Sequence, residues 1–163
     1  MGAPTFEELL DRHQREIMGY IVRSLRDQDL AQDAFQETFL RAFRAYGRLP
    51  AEANRRAWLY KIASNACHDA HRQRVRSPLP LDDSLPGADP PGSDDREMVR
   101  AVVDFIHALP ARQRQSVALR KFQGLDYDEI ASVLGCSPEA ARANVYQGLR
   151  KVRAQFAEVD YHA

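Results

Sequence analysis

Hydrogen-bonding side chains recur at helical spacing near the end of the 163-residue sequence, between Leu125 and Arg153. An arginine can bond bidentately to guanine, and an asparagine or glutamine can bond in the same way to adenine. One face of a helix that starts near Ser137 presents such groups together with an aromatic ring and further charge: Glu139, Arg142, Ala143, Asn144, Tyr146, Gln147 and Lys151. This face has the chemistry needed to contact bases and phosphates.

Two helix-start signals a few residues apart must position that face. Asp126 can cap a first helix, and Glu129 lies three residues later, where the carboxylate of a capping box belongs. Gly135 suits the left-handed residue that ends a helix. Ser137 and Pro138 suit the N-cap and first turn of a second helix. The sequence therefore predicts two helices joined by a tight glycine turn.

Apolar residues give each of these helices a buried side. They are Ile130, Ala131 and Leu134 in the first helix, and Ala141, Val145, Gly148 and Val152 in the second. A helix-turn-helix places such a second helix in the DNA major groove. An ordinary helical hairpin with a solvated polar face is the alternative interpretation.

The net charge is zero, with 23 basic and 23 acidic residues, which counts against nucleic-acid binding unless the charges are segregated. They are segregated, because the stretch from Ser77 to Glu97 holds six acidic residues against a single Arg96. The rest of the chain is therefore net positive. The acidic stretch is rich in Pro, Asp, Ser and Gly, which predicts an extended linker.

The remaining residues show helical periodicity and no alternating strand pattern. The predicted helices of the first part follow a stripe from Phe6 to Leu25, a second run from Asp29 to Tyr46 and a third from about Arg56 to Arg74. In the second run we expect these side chains to face inward: Phe35, Phe39, Ala42 and Phe43. Helices resume at about Asp95, and another is predicted from Ala111 to Phe122. The fold class is thus all-α, with two small helical domains, 1–76 and 96–163, joined by a flexible acidic linker, 77–95.

Metal and redox chemistry find little support in the sequence. The two cysteines, Cys67 and Cys136, form no CxxC pair, which fits a reducing cytosol. Cys67 and His71 lie one helical turn apart, but a structural zinc site needs four ligands and the others are not evident, so we expect no metal. No phosphate loop or catalytic motif occurs, and we expect no cofactor and no enzymatic activity. The absence of a signal peptide or an apolar span indicates a cytoplasmic protein.

Three stretches, in this order, resemble the bacterial RNA polymerase sigma factors of the extracytoplasmic-function type, group IV of the sigma-70 family. "DLAQDAFQETFLRAFRAY" is similar to the core-binding helix of region 2, and "RRAWLYKIASNACHDAHRQR" to the helix that reads the promoter minus-10 element. "ALPARQRQSVALRKFQGLDYDEIASVLGCSPEAARANVYQGLRKVR" is similar to region 4. The resemblance covers nearly all of the chain outside the linker. It implies a promoter-specificity subunit with a region-2-like first domain and a region-4-like second domain.

The resemblance also implies roles for individual residues. In the first domain it implies contacts with core polymerase by Asp33, Gln36, Glu37, Phe39 and Arg41. It implies contacts with the minus-10 element by Asn54, Arg55, Arg56, Lys61, Asn65 and Arg72. In the second domain it implies contacts with the minus-35 element by Arg142, Ala143, Asn144, Tyr146, Gln147 and Lys151, with Arg114 and Arg120 on phosphates.

Some side chains leave alternatives open. Trp58 and Tyr60 could stack on bases, although Trp58 at helical spacing fits a core residue better. The family commonly has Arg at the positions of Asn144 and Gln147, and Ser at the position of Ala143. Fewer cations predict a shallower salt dependence of DNA binding.

The implied partners are core RNA polymerase, promoter DNA and an anti-sigma factor, with a chain that is monomeric when free. Three alternatives are a sigma-like decoy that sequesters a regulator, a stand-alone helix-turn-helix transcriptional regulator, and a metal-dependent helical enzyme built around Cys67 and His71. A stand-alone regulator would need a dimer interface to read two half-sites, and no heptad or exposed apolar stripe announces one.

Overall fold

The computed structural model describes residues 2–76 and 94–157, and within these ranges it contains helices and no strand. The first unit has three helices, α1 (Phe6–Leu25), α2 (Gln28–Tyr46) and α3 (Arg55–Arg76). The second unit has α4 (Asp94–Ala108), α5 (Ala111–Val117), a π-helical turn (Ala118–Phe122), α6 (Tyr127–Leu134) and α7 (Pro138–Phe156). The all-α prediction with two helical domains is confirmed.

The ends of the predicted linker need a correction. Helix α4 begins at Asp94, so Asp94 and Asp95 are helical although the sequence assigned them to the linker. Acidic residues in the first turn stabilise a helix through its macrodipole, which explains why the acidic run can enter α4. Residues 77–93 lie outside the described part of the chain.

Local capping fixes where the helices of the first unit begin. Thr5 and Glu8 form a capping box at α1, and the Asp27 side chain accepts a hydrogen bond from the Leu30 backbone at 3.0 Å to start α2. Between these helices Arg26 adopts a left-handed conformation with φ of 52°. Helix α3 starts where the side-chain oxygen of Asn54 accepts a bond from the Ala57 backbone at 3.0 Å.

The core of the first unit lies where α1, α2 and α3 pack on one another. Ile17, Ile21, Leu25 and Leu59 are fully or almost fully buried there. A polar link crosses the same core, since the hydroxyls of Tyr20 and Ser64 hydrogen-bond at 2.7 Å. The predicted apolar stripe of α1 is confirmed.

The prediction that Phe43 faces inward is wrong, because 64% of this residue is exposed. The buried side of α2 runs through small residues: Ala31, Ala34, Thr38 and Ala42. Each step of four residues turns a helical side chain by about 40°, because one residue turns it by about 100°. The series Phe35, Phe39, Phe43 therefore drifts away from the buried side. Phe39 is still buried, whereas Phe43 is exposed and packs on Phe6 in a T-shaped arrangement, with the ring centres 5.3 Å apart.

The second unit has its own apolar core around Ile106, Leu109 and Val117, against which Val102 and Phe105 pack. The sequence predicts one continuous helix from Ala111 to Phe122, but its last five residues form a π-helical turn. A π-turn adds a residue to the turn and is frequent at functional sites. Here it leads into a bond from the Leu125 backbone to the carbonyl of Leu119 at 3.0 Å.

Candidate nucleic-acid interface

The turn between α6 and α7 has the geometry that the sequence predicts. Asp126 and Glu129 exchange capping-box bonds of 2.8 and 3.2 Å. Gly135 ends α6 with φ of 66°, a left-handed conformation that favours glycine. Ser137 caps α7 by accepting a bond from the Ala140 backbone at 3.1 Å. The chain from Asp126 to Phe156 is therefore a helix-turn-helix.

Helix α7 has one buried and one exposed side. Ala141, Val145 and Gly148 are buried, as predicted. A Cβ atom on Gly148 would lie 2.6 Å from Cγ2 of Val117, so glycine allows α5 to approach α7 closely. The predicted contact residues Arg142, Ala143, Tyr146, Gln147 and Lys151 are exposed, and Asn144 is half-buried.

Gln113 on α5 holds two of these exposed side chains. Its amide nitrogen donates to the side-chain oxygen of Gln147 at 3.2 Å, and its own oxygen accepts from Nζ of Lys151 at 2.9 Å. This role of Gln113 could not be predicted from local sequence, because its partners lie 34 and 38 residues away. The Gln113 contacts restrict the orientations of side chains that could face DNA.

The two arginines predicted to reach phosphates from the preceding helix have partners within the second unit. Arg114 donates to the carbonyl of His107 at 3.3 Å, at the end of α4. Arg120 donates to the carbonyl of Leu125 at 3.0 Å and lies over the ring of Tyr127, 4.7 Å from its centre. Arg142 lies over the same ring at 5.0 Å. Tyr127, which Arg120 and Arg142 both contact, was not among the predicted site residues.

Helix α3 carries an exposed polar stripe. Lys61, Asn65, His68 and Arg72 are all exposed and follow one another at spacings of three or four residues, so they share one side of the helix. Three of them were predicted from the sequence to contact the minus-10 element, and His68 joins them by position. The structure thus brings Lys61, Asn65 and Arg72 together on one surface.

The other predicted minus-10 residues lie at the start of α3 and have internal contacts. Asn54 caps the helix, as described above. Arg55 donates to the carbonyls of Ala51 and Ala53 at 3.1 and 3.4 Å. Arg56 forms an ion pair with Glu16 of α1 at 2.9 Å. These contacts hold the loop before α3 in a defined conformation.

The hypothesis that Tyr60 stacks on bases is wrong, because its side chain is fully buried. Its ring packs on the Tyr20 ring in a T-shaped arrangement with the ring centres 5.3 Å apart, and its hydroxyl donates to Glu16 at 2.8 Å. Trp58 is half-buried, and the centre of its ring lies 6.3 Å from the centre of the Tyr46 ring. This position is compatible both with a core residue and with a residue that stacks on a base.

The carboxylate of Glu16 forms hydrogen bonds with three side chains of the first unit. Burial raises its pKa, but hydrogen bonds from Arg56, His13 and Tyr60 outweigh burial, so the pKa lies below the ordinary value. Burial also raises the pKa of Tyr60, and the bond to Glu16 raises it further. Glu16 is therefore ionised at neutral pH, and it joins α1 to the beginning of α3.

The predicted polymerase-binding residues of α2 divide into exposed and buried ones. Asp33 and Gln36 are exposed, whereas Phe39 is buried at 9% exposure and cannot offer its ring to a partner without moving. Leu40 was not among the predicted residues, yet it is 49% exposed on the side of α2 opposite the core. With Phe43 it gives this helix an apolar outer surface.

Glu37 and Arg41 form a polar border beside that surface. Nε of Arg41 donates to Glu37 at 2.7 Å, and Nη2 donates to Asp69 of α3 at 3.0 Å. The bond to Glu37 is the main reason that the pKa of Arg41 is raised. This network ties α2 to α3 at the edge of the exposed surface.

The Cys67 and His71 pair does not form a metal centre in the described ranges, where no group of three or more candidate ligands occurs. Cys67 is buried, and burial raises the pKa of its thiol to about 12. A cysteine binds zinc as its thiolate, so the raised pKa of Cys67 disfavours metal binding at this residue. No helix in the described part of the chain is both long and apolar enough to cross a bilayer.

Comparisons with known proteins agree with both halves of the fold. Family models match residues 9–77 as sigma-70 region 2 and residues 100–152 as sigma-70 region 4. RNA polymerase sigma factor CarQ of Myxococcus xanthus is 33% identical over 158 residues, covering 95% of this chain and 91% of that protein. RNA polymerase sigma-H factor of Pseudomonas aeruginosa is 31% identical over 156 residues, covering 87% and 81% of the two chains.

Solved structures show the same fold at lower identity. The sigma factor RpoE, solved in complex with the anti-sigma factor NepR from Bartonella quintana, has a TM-score of 0.78 and 21% identity, covering 95% of this chain and 98% of that one. CnrH, solved with the cytosolic domain of CnrY, has a TM-score of 0.69 and 23% identity, covering 97% and 89%.

Two helical domains, the second a helix-turn-helix with an exposed polar recognition helix, define a DNA-binding protein of the transcription machinery. The chain belongs to the sigma-70 family, as an RNA polymerase sigma factor of the extracytoplasmic-function type. Its function is to give RNA polymerase promoter specificity at the start of transcription. The resemblance stated from the sequence is confirmed.

Proposed function

We propose a division of labour within this sigma factor. The first domain, residues 1–76, binds core RNA polymerase through α2 and the minus-10 element through α3. The second domain, which begins with α4 at Asp94, binds the minus-35 element through α7, and residues 77–93 tether the two. The observation that carries this proposal is the exposed polar side of α7, presented by a helix-turn-helix whose caps and glycine turn are all in place.

The proposed polymerase-binding surface is the outer face of α2, formed by Asp33, Gln36, Leu40 and Phe43. Its apolar part is accessible, since Leu40 and Phe43 are 49% and 64% exposed. Apolar groups with a polar border are typical of the centre and rim of a protein interface. Glu37 and Arg41 supply that border, whereas Phe39 supports the surface from the core.

The proposed minus-10 surface is the exposed stripe of α3. Lys61 and Arg72 provide cations for phosphates, and Asn65 provides amide donors and acceptors for an unpaired base. In this proposal Asn54, Arg55 and Arg56 set the conformation of the preceding loop, and any contact that they make with DNA comes in addition. The Arg56–Glu16 ion pair supports this role, because it fixes the start of α3 on α1.

The proposed minus-35 surface consists of Arg142, Ala143, Tyr146, Gln147 and Lys151, with Asn144 beside them. Arg142 is the candidate for bidentate recognition of a guanine in the major groove. Arg114 on α5 and Arg120 in the π-helical turn are further candidates for phosphate contacts. A DNA phosphate could accept hydrogen bonds from each guanidinium in place of, or in addition to, its present carbonyl partner. Gln113 restrains Gln147 and Lys151 before DNA arrives.

Two weak DNA contacts on one tether require a partner that fixes their spacing. Binding to core polymerase would raise the effective concentration of the second site once the first is occupied. In this proposal the sigma factor is monomeric when free and acts in the cytoplasm, and the nucleotidyl chemistry belongs to the polymerase. We also propose control by an anti-sigma factor, supported by the similarity of the fold to the sigma factor RpoE, which was solved in complex with the anti-sigma factor NepR.

Run-off transcription tests the proposal directly. Purified bacterial core polymerase and the full chain would transcribe sheared chromosomal DNA of the encoding bacterium, with start sites read by sequencing. The expected result is a set of starts that share upstream elements near minus-10 and minus-35. A decoy would bind a partner and yield no start, and a stand-alone regulator would bind DNA without core polymerase; either result would contradict the proposal.

Single substitutions can test the polymerase-binding surface of α2 and the DNA-binding surface of α7 independently. Leu40→Ser should weaken association with core polymerase by about fivefold or more, because truncation of a side chain at the centre of an interface can cost more than about 1 kcal/mol. Val99→Ser, at a residue 63% exposed on α4, is the matched control for loss of an exposed apolar side chain. Arg142→Ala should lower promoter-specific transcription and leave core affinity unchanged. Equal loss of core affinity in Arg142→Ala would refute the division of labour.

A further inference from the structure

Tyr127 is the meeting point of two arginines that the sequence places 22 residues apart. The guanidinium of Arg120, in the π-helical turn, lies over its ring at 4.7 Å from the centre. The guanidinium of Arg142, on the exposed side of α7, lies over it at 5.0 Å. The ring therefore connects the turn before the helix-turn-helix with the recognition helix.

The ring itself is held in place. Tyr127 is the first residue of α6, directly after the capping residue Asp126, so the capping box fixes its backbone. Arg120 is anchored on its other side by the bond to the carbonyl of Leu125, a fully buried residue. The ring is half-buried, and a large movement of it would disrupt the capping box or the contact with Arg120.

An arginine over an aromatic face is attracted by the quadrupole of the ring, and the attraction limits the rotamers that the arginine samples. Arg142 is otherwise a long exposed side chain, which would lose conformational freedom on binding a base. Restriction before binding removes part of that entropic cost. The Tyr127 contact is thus suited to prepare the guanidinium for recognition.

We propose that Tyr127 is a positioning residue for minus-35 recognition, which holds the guanidinium of Arg142 ready for a base and couples it to Arg120. This inference rests on the proposed role of α7 in DNA binding. Tyr127 acts through the two arginines. Its loss should therefore change affinity and base preference together, and most of this change should require Arg142.

The test is a double-mutant cycle on the complex of the full chain with core polymerase. The probe is a promoter fragment identified by the start-site mapping, together with a set of single-base substitutions across its minus-35 element. Tyr127→Leu removes the ring and keeps apolar volume, whereas Tyr127→Phe keeps the ring and is the matched control. Both are measured with Arg142 intact and with Arg142→Ala, and thermal unfolding checks that each variant folds.

We expect Tyr127→Leu to weaken promoter binding about two- to fivefold, the equivalent of a cation–π energy of about 0.5–1 kcal/mol at 1.4 kcal/mol per tenfold. It should flatten the base preference at the position where Arg142→Ala flattens it, and Tyr127→Phe should preserve both properties. In the Arg142→Ala background, the loss caused by Tyr127→Leu should fall below about twofold, since coupled residues are not additive.

Three outcomes would overturn the inference. They are an equal loss in both backgrounds, an unchanged base preference in Tyr127→Leu, and tighter binding by Tyr127→Leu, which would mean that the ring restrains Arg142 from DNA. Failure of the proposed function looks different. If Arg142→Ala itself alters neither affinity nor base preference, the assignment of α7 to minus-35 recognition fails, and the positioning role fails with it.

Discussion

Gly148 is the point at which a single methyl group should disturb the support of the recognition helix. In Gly148→Ala, the new Cβ would lie 2.6 Å from Cγ2 of Val117, closer than non-bonded carbons approach. Val117 is fully buried and β-branched, so it cannot rotate away without a new clash. Leu109 and Gln113 lie at 3.5 and 3.6 Å from the same Cβ position, and they restrict any shift of α5.

The expected magnitude is the difference between two effects. Overpacking a well-packed core costs about 1–3 kcal/mol. Replacement of a helical glycine by alanine returns up to about 1 kcal/mol in helix propensity. We therefore expect Gly148→Ala to destabilise the second domain by about 1 kcal/mol, or roughly 4–8 °C in its melting temperature for a domain of this size.

Gly19 on α1 provides the matched control, because nothing lies within 4 Å of a Cβ atom built there. Gly19→Ala should stabilise the first domain by up to about 1 kcal/mol. The only tryptophan, Trp58, lies in the first domain, so its fluorescence follows that domain whereas circular dichroism follows all helices.

The assay is thermal unfolding of both variants with both signals. Gly148→Ala should lower the midpoint seen by circular dichroism and leave the fluorescence midpoint unchanged. Adding Val117→Ala should cost less in the Gly148→Ala background than in the native chain, because it removes the clashing atom. An unchanged or higher circular dichroism midpoint in Gly148→Ala would refute the close approach of α5 and α7.

Three further predictions concern the first domain and the cysteines. Glu16→Gln should lower the free energy of unfolding by about 1.5–3 kcal/mol at pH 7, because hydrogen bonds to a charged group are lost. The folded-state pKa of Glu16 lies below 4.5, so its contribution to the free energy of unfolding is present above pH 4.5 and disappears as the pH falls through that lower value. Denaturant titrations should therefore show that the native chain and Glu16→Gln become equally stable at low pH. Phe39→Ala should destabilise the same domain by about 3–5 kcal/mol through lost packing, whereas Leu40→Ser should leave its stability nearly unchanged, as equilibrium unfolding followed by Trp58 fluorescence would reveal. Iodoacetamide should label half-buried Cys136 before Cys67, whose pKa burial raises to about 12, and faster labelling of Cys67 on mass spectrometry would contradict its buried position.

Local signals predicted the helix-turn-helix well. The Asp126–Glu129 box, Gly135 and Ser137–Pro138 each act within a few residues, so their geometry follows from the sequence itself. Periodicity likewise predicted which side of α7 is buried. The error at Phe43 arose because aromatic residues were assigned inward, whereas the small residues Ala31, Ala34 and Ala42 allow α2 to approach its neighbours.

Contacts between distant residues could not be predicted from a single sequence. Arg56 was expected to contact the minus-10 element, but it pairs with Glu16, which lies 40 residues away. Gln113 and Tyr127 carried no recognisable signal, because their roles depend on how α5, α6 and α7 pack. The exposure of Leu40 similarly required the orientation of α2 on its neighbours. The identities of the polar groups were readable in the sequence, whereas their availability to DNA or protein was not.

The affinity of the full chain for bacterial core polymerase shows whether this chain acts as a subunit of that enzyme. A fluorescently labelled chain would be titrated with purified core enzyme and followed by anisotropy. We expect saturable one-to-one binding tighter than about 1 μM, which corresponds to a binding free energy of about −8 kcal/mol. Leu40→Ser should weaken this binding, and Arg142→Ala should leave it unaffected. A folded chain that shows no binding at that concentration would contradict the role of this chain as a subunit of the polymerase.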